Sequence, residues 1–405
     1  MTTTAKHIYL DHNATTPISP QAAEAVARAY AAGLANPASQ HWAGRKARQV
    51  LENAREAIAA ILGAEVVSSQ CDKLIFTSGG TEANNLAIFG LLGPSPAHAV
   101  VSAIEHPSVI GPCDHLRRLG WQIDLLPVSA HGVVEVDRLA GLLRPDTRLV
   151  SIMMANNETG VLQPVERAAQ ICAARGVPLH TDAVQAAGKV PVDFRRLGIA
   201  ALSVSGHKFH GPPGIGALLV RQGVTIAPHT FGGFQQAGVR PGTESVALAA
   251  GMQAALEHWS RDADAARARM TALRDEFEAA LRAGCPDLIV NGTHAERLPQ
   301  TCNVSFPGVD RKKMVMALDL AGIACATGSA CASGSSEPSP VLVAMGCPRV
   351  VLEGSLRFSF GAETTRQELL DAAGRIVKIC NELRTGKSGQ KMAFAGRGPK
   401  PILVD

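Results

Sequence analysis

The sequence predicts an α/β protein: a mostly parallel sheet covered by helices on both faces. Two observations carry this. Short apolar runs alternate with helix-like periods through the first two-thirds of the chain. The runs are continuously apolar, as strands buried on both faces are. A third bounds the size: 405 residues exceed one ordinary core and suit about two domains.

The elements follow in order. Residues 19–33 read as a helix with Ser19 as N-cap, Pro20 in the first position and Gly33 closing it. KLIFT (73–77) is a strand and residues 81–92 the helix after it. Residues 98–104 form a strand, followed by a helix over 108–120. Residues 148–156 are another strand, and 165–176 a helix whose Gly176 suits a C-cap. Strands follow at 177–182, 201–205 and 214–220. From Ser260 the texture changes to a charged amphipathic helix (261–284), where a second domain starts; the last good helix ends near Thr385. The expected division is 19–258 as the large domain, 1–18 with 259–385 as a smaller α+β domain, and 386–405 as a loosely ordered polar tail.

Composition narrows the function. The net charge is +4, and the basic residues are spread rather than clustered, which argues against nucleic-acid binding. The N-terminus lacks an apolar signal core, and no apolar run is long enough to span a bilayer. Nine cysteines, scattered and without a CxxC pair, argue against a disulfide framework and a zinc site and point to the cytoplasm. No metal ligands are expected.

Three segments concentrate chemistry. In SVSGHKFHGPPGIGALLV (203–220), Lys208 follows a strand end and sits beside His207 and His210. Most lysines are solvated surface charges, but one at the ligand edge of a sheet suits a cofactor carbonyl, since a desolvated amine forms Schiff bases. In VPLHTDAVQAAG (177–188), Asp182 ends a buried strand. It reads either as a structural cap or as the partner of a protonated pyridine nitrogen, a pairing that keeps such a ring electron-poor. Gln185, three residues on, could reach the same ring. In IFTSGGTEANN (75–85), a strand runs through Ser78-Gly79-Gly80-Thr81 into a helix, a turn that suits a phosphate. It matches neither common nucleotide fingerprint.

With AIEHPSV (103–109) and NNETG (156–160) in their places, these segments resemble the cysteine desulfurases, fold type I pyridoxal-phosphate (PLP) enzymes of the class V aminotransferase group. The resemblance runs from IYLDHNATTP (8–17) to SLRFSFG (355–361). It implies PLP as cofactor, L-cysteine as substrate and a homodimer. By the same resemblance Lys208 carries the cofactor, and His106 stacks on its ring and moves protons. Asp182 faces the ring nitrogen and Gln185 the phenolic oxygen. Thr81, Ser205, His207 and the Gly80 backbone hold the phosphate, with Thr243 reaching the phosphate of the other subunit. Asn157 and Arg357 hold the substrate carboxylate, an arginine fork being the matching shape; Asn36, in the N-P-x-S segment, lies near the substrate.

The segment ATGSACASGSSEPSPVL (326–342) sets the subgroup. Cys331 lies in a run of Gly, Ser and Ala that has little to pack, and it resembles the family's sulfur acceptor in the subgroup with a longer, flexible cysteine loop. Only about 3% of an ordinary thiol is thiolate at pH 7, so a base such as His106 or the substrate amine is needed. Cys325, in GIACAT, has an apolar setting and reads as core. The resemblance implies conversion of cysteine to alanine, with sulfur left on Cys331 for an acceptor protein such as those of iron–sulfur cluster assembly. Pro241, in RPGTE, stands where many desulfurases have serine, and that form also occurs among selenocysteine lyases. The tail does not resemble the family's scaffold-docking C-terminus. The alternatives are a selenocysteine lyase, or another PLP-dependent aminotransferase or β-lyase that would not need Cys331.

Overall fold

The computed structural model describes residues 6–68, 71–328 and 337–386. Cys331 and the tail from residue 387 lie outside the described residues.

The elements run β1 (Ile8–Tyr9), α1 (Pro20–Ala31), α2 (Trp42–Ile61), β2 (Lys73–Thr77), α3 (Gly80–Leu92), β3 (His98–Ser102), α4 (Pro107–Arg118) and β4 (Gln122–Leu126). Then come α5 (Leu139–Leu142), β5 (Thr147–Ser151), α6 (Val165–Ala173), β6 (Leu179–Asp182), α7 (Phe194–Leu197), β7 (Ala201–Ser205), β8 (Gly216–Val220) and α8 (Val246–Arg261). The chain closes with α9 (Ala263–Gly284), β9 (Ile289–Val290), β10 (Thr301–Ser305), α10 (Arg311–Leu320), β11 (Ile323–Ala324), α11 (Pro340–Ala344), α12 (Arg349–Glu353), β12 (Ser355–Ser359) and α13 (Arg366–Arg384).

Seven strands form the main sheet in the order β2-β8-β7-β6-β5-β3-β4. Only β8 runs against the rest, antiparallel to both β2 and β7. The expected α/β class with a mostly parallel sheet is therefore what the chain adopts. Strands β3, β7 and β8 are buried along their whole length, as strands covered on both faces are. Two smaller pieces lie elsewhere: an antiparallel β9-β10-β12 sheet and the parallel β1-β11 pair.

Local sequence explains most boundaries. Ser19 caps α1 by accepting from the Ala22 N–H, with Pro20 in the first turn. The strand expected over 148–156 is shorter, because its ladder ends at Ser151. The Met154 N–H then bonds to the Asp182 carbonyl and Ala155 pairs with Leu162. Helix α2, which sequence reading did not single out, buries Ala47, Leu51, Ala54 and Ile58 at helical spacing. Its N-cap is His41, whose ring accepts from the Gly44 N–H, so the usual Ser/Thr/Asp/Asn start signal is missing.

Two large apolar clusters organise the packing. One holds β2, β3, β5–β8 and the helices against them, and includes Val341, Leu342 and Met345 of and beside α11. The other joins Ile8 and Leu10 to α9, β10, β12 and α13. In the second, Phe277 meets Phe358 and Phe360 edge-on at 5.5 and 5.3 Å, contacts worth about 1 kcal/mol each beyond burial. The N-terminal segment thus belongs to the second cluster before crossing to the sheet.

Candidate active site

The carboxyl ends of β2, β3, β5, β6 and β7 open on one cavity of about 220 Å³. Its lining includes Gly80, Thr81, His106, Asn157, Asp182, Gln185, Ser205, His207, Lys208 and Arg357, ten of the residues expected from sequence. They come from six separate stretches, five of which meet because strands of the main sheet end on one edge, while Arg357 comes from β12 of the smaller antiparallel sheet.

Lys208 leaves β7 in the short turn Gly206–Lys208. Its amine donates to the carbonyls of Asn13 (2.6 Å) and Ala14 (2.8 Å). The N-terminal segment is itself fastened to this turn. Thr16 donates both its N–H and its hydroxyl to the His207 carbonyl, at 2.9 Å each. Next door, His210 adopts φ 64°, a cost for a residue with a side chain, offset by an N–H bond to Thr16 Oγ1 at 2.8 Å and a ring bond to the Pro17 carbonyl at 2.9 Å.

Asp182 is 4% exposed. One oxygen accepts from the Val184 N–H (2.9 Å) and the other from Asn84 Nδ2 (2.7 Å). These partners are neutral. A buried carboxylate without a cation is costly, so the cavity in front of Asp182 suits a protonated ring nitrogen. Asn84 Nδ2 also donates to Ser108 Oγ (2.8 Å), and Ser108 Oγ lies 2.7 Å from His106 Nδ1. The Ser108 N–H donates to that same Nδ1 at 3.1 Å. An imidazole accepting at Nδ1 carries its proton on Nε2 when neutral. Burial holds the His106 pKa down, with Asp182 opposing and Lys208 adding to it. Beside it, burial and the Asp182 charge push Glu105 up to about 8 against hydrogen bonds from Ser102 and the Met153 N–H.

The phosphate-type turn is supported by two facts. A Cβ on Gly80 would meet Val184 Cγ2 at 2.8 Å, so glycine is what lets this turn close on β6. Ser205 Oγ is buried without a hydrogen-bond partner, an arrangement that calls for a ligand oxygen. Burial, then the Lys208 and Lys189 charges, push His207 down to about 4, leaving a neutral ring. Gln185 is held by an N–H bond to the Asn13 carbonyl (3.0 Å) and accepts from Lys189 Nζ (3.0 Å).

Arg357 is 1% exposed. It donates to the Asn157 carbonyl (3.0 Å) and to Asp11 Oδ1 (2.6 Å), and its Nε has no partner. The side-on edge of the fork thus retains an unused donor that a carboxylate would satisfy. The donor set as a whole (an amine, an uncompensated carboxylate, an anion turn and a carboxylate fork) fits PLP with an amino acid.

Asn36 and Thr243 are not in this cavity. Both are exposed and line a different cleft with Tyr30 and Ser245. Asn36 caps its own turn by accepting from the Ala38 N–H at 2.9 Å. Cys331 lies outside the described residues. Cys325, before it, is half-buried against the second cluster, and burial, then Asp11, push its thiol up to about 12. Sequence reasoning missed Asn13, Asn84 and Ser108. The first arrives on the folded-back N-terminus; the other two lie in the first turns of α3 and α4, where TEANN and HPSV gave only a weak signal.

The family description of aminotransferase class-V matches residues 8–371. The chain belongs to this family. Among curated relatives, cysteine desulfurase IscS of Dictyoglomus turgidum is 42% identical over 94% of this chain and 96% of its own length. Cysteine desulfurase NifS of Azotobacter vinelandii is 38% identical, covering 97% and 96% respectively. Among solved structures, a NifS-like protein superposes with a TM-score of 0.86 at 32% identity, covering 93% of this chain and all of that one. Family membership accounts for the sheet and for the stretches gathered around the cavity at its edge. Among the described residues, no helix is long and apolar enough to cross a membrane.

Proposed function

We propose that this family member is a cysteine desulfurase that converts L-cysteine to L-alanine and takes the sulfur onto Cys331. The observation that carries the reading is the pairing of the Lys208 amine with the buried, uncompensated Asp182 in one cavity beside Arg357. PLP, when bound, supplies a carbonyl for an amine and a ring that takes up an electron pair. Gly80, Thr81, Ser205 and His207 would hold its phosphate, Asp182 its ring nitrogen, Gln185 its phenolic oxygen and Lys208 its carbonyl carbon.

The chain's own residues do the rest. Arg357 and Asn157 orient the substrate carboxylate, which fixes the Cα–H toward Lys208. Lys208, displaced by the substrate amine, is the base that takes the Cα proton. His106 would lie over the ring, and its Nε2–H can donate and then recover a proton. The Cys331 thiolate attacks the substrate sulfur. An S–S bond forms as the Cβ–S bond breaks, and the electron pair stays with the carbon fragment, which takes up one proton at Cβ, recovers the Cα proton from Lys208 and leaves as alanine. Cys331 is left as a persulfide for an acceptor protein, such as one serving iron–sulfur cluster assembly.

The protein acts as a cytoplasmic homodimer with Thr243 reaching the partner's phosphate. Phe231 and Phe234, 87% and 95% exposed on the segment leading to Thr243, support this, since a second copy would cover them. Asn36 shares the Thr243 cleft and belongs to the same face. Residues 19–258 act as the large domain, and 1–18 with 259–385 as the smaller one.

The test is sulfide and alanine release from cysteine, with a dithiol reductant present to free the persulfide sulfur as sulfide, and, in parallel, selenide release from selenocysteine by the yellow purified protein. Equimolar alanine and sulfide from cysteine supports the reading. Turnover of selenocysteine alone overturns it in favour of a selenocysteine lyase.

A further inference from the structure

The turn after β6 brings two side chains together. Residues 183–190 wind back on themselves, with the Ala187 N–H bonded to the Ala183 carbonyl (2.9 Å) and the Val190 N–H to the Ala186 carbonyl (3.0 Å). Gln185 and Lys189, four residues apart, therefore share a face. Gly188, at φ 73°, lets this turn lie against the Lys208 turn, because a Cβ there would run into Phe209 Cβ.

Lys189 Nζ donates to Gln185 Oε1 at 3.0 Å, and Gln185 Nε2 donates to the Asn13 carbonyl at 3.0 Å. A carbonyl can only accept, so the amide nitrogen must face Asn13 and the amide oxygen must face Lys189. The nitrogen keeps a second N–H that has no partner among the described residues, and Gln185 lines the cavity. A donor held at the amide oxygen also strengthens what that N–H can donate.

Lys189 is not a solvated surface charge. It is half-buried, and among the described residues no carboxylate pairs with it. Burial first, then the charges of Lys208 and Arg357, push its pKa well down. Its charge bears in turn on His12, His207 and His210, each held down first by burial. A cation set beside two others, with a neutral amide as its partner, is costly in isolation and favours an anionic oxygen close by.

We propose that Lys189 is a positioning residue for the cofactor: it holds and polarises Gln185 so that the free Gln185 N–H donates to the phenolic oxygen of PLP, and it thereby lowers the pH at which the nitrogen joining Lys208 to PLP takes up a proton. A donor at that oxygen replaces the hydrogen bond that the protonated nitrogen would make, which favours the unprotonated form. The inference rests on the reading that PLP binds with its phenolic oxygen at Gln185.

The test is a pH titration of the absorbance of bound PLP, without substrate. It compares the PLP-loaded unaltered protein, Lys189→Met, Gln185→Leu and the double variant. Methionine keeps the length of the stem but neither donates nor carries charge. The Lys189→Met midpoint should rise by on the order of one pH unit, the size of shift that one lost partner causes. Gln185→Leu should also raise it. The double variant should lie within about 0.3 unit of Gln185→Leu, as expected when one residue acts through the other. An unmoved or lowered midpoint in Lys189→Met overturns the proposal. So does full additivity in the double variant, which would mean that Lys189 acts by its charge and not through Gln185. If Lys189→Met does not fold, Lys189→Ala carries the same comparison. Absence of a pH-dependent PLP band in the unaltered protein, or an unmoved midpoint in Gln185→Leu, would instead overturn the cofactor reading beneath it.

Discussion

Asp182 can be read as a cap or as a charge partner, and the two readings differ in what an amide would do there. Its oxygens accept from the Val184 N–H and from Asn84, contacts that hold a carboxylate in place without neutralising it. Asp182→Asn keeps the size and one acceptor but removes the charge. It should still retain PLP, and kcat/KM for cysteine should fall on the order of a hundredfold to a thousandfold, the range for losing one preorganised electrostatic contact. Steady-state alanine formation by the PLP-loaded variant checks this; near-normal turnover would make Asp182 a cap. The thiols separate at the same scale. Burial pushes Cys113, Cys172 and Cys325 up to about 12, so at neutral pH they are poor nucleophiles.

The element that carries the anion turn also anchors the segment bearing Thr243. Gln236 and Ala237 hold positive φ angles of 48° and 57°, unusual for residues with side chains. The Gln236 amide offsets the strain by accepting from the Phe76 N–H (2.8 Å) on β2 and from Arg55 (2.9 Å). Arg240 grips Glu82 of α3 at 2.7 and 3.2 Å, and Glu82 in turn accepts from the Ser78 N–H at 2.6 Å. Breaking this latch loosens the turn and the Thr243 segment together. Arg240→Ala should weaken PLP retention about tenfold, roughly 1.4 kcal/mol, in an absorbance titration. Unchanged retention would disconnect the two. This scale also shows what sequence could and could not reveal. Lys208, Asp182 and Gly80 were legible because each sits at the end of an apolar strand run, where local pattern and position in the sheet coincide. Asn84 and Ser108 were not: their roles depend on which helix face meets β6, which spacing alone does not fix. Asn13 reaches Lys208 and Gln185 across nearly two hundred residues, a contact that no local pattern encodes. Helix α2 had the right apolar period, but its start was hidden by a histidine cap.

At the scale of the whole molecule, the sheet carries a pH liability and the proposed dimer predicts a complementation signature. His180 is fully buried in β6 and bridges Ser151 (2.9 Å) and Ser203 (3.0 Å) across three strands. Burial pushes it down to about 3. An unfolded histidine titrates near 6.5, so the unfolded chain gains the proton first and stability falls as pH drops below that value. At pH 5 the loss from this one group is about 2 kcal/mol. Urea unfolding should show the gap between the unaltered protein and His180→Gln narrowing by that amount from pH 7 to pH 5; a constant gap would contradict it. Glu105 opposes the trend, because its raised value favours the protonated folded form and adds stability as pH falls from about 8 toward 4.5. If the proposed dimer forms, mixing Lys208→Ala with Thr243→Ala chains would yield hybrids with one intact site, so activity should exceed that of either parent if Thr243→Ala is itself weak. Full activity from a single-chain mass would remove the basis for this. The central claim, that sulfur leaves cysteine and arrives on Cys331, has a direct measurement. The PLP-loaded protein, given L-cysteine without reductant, is digested, and the peptide that carries both Cys325 and Cys331 is fragmented in the mass spectrometer to place the added sulfur. One added sulfur on Cys331 and none on Cys325, with cysteine turnover lost in Cys331→Ala, is the predicted result; a persulfide on another cysteine, with turnover surviving that substitution, would contradict it.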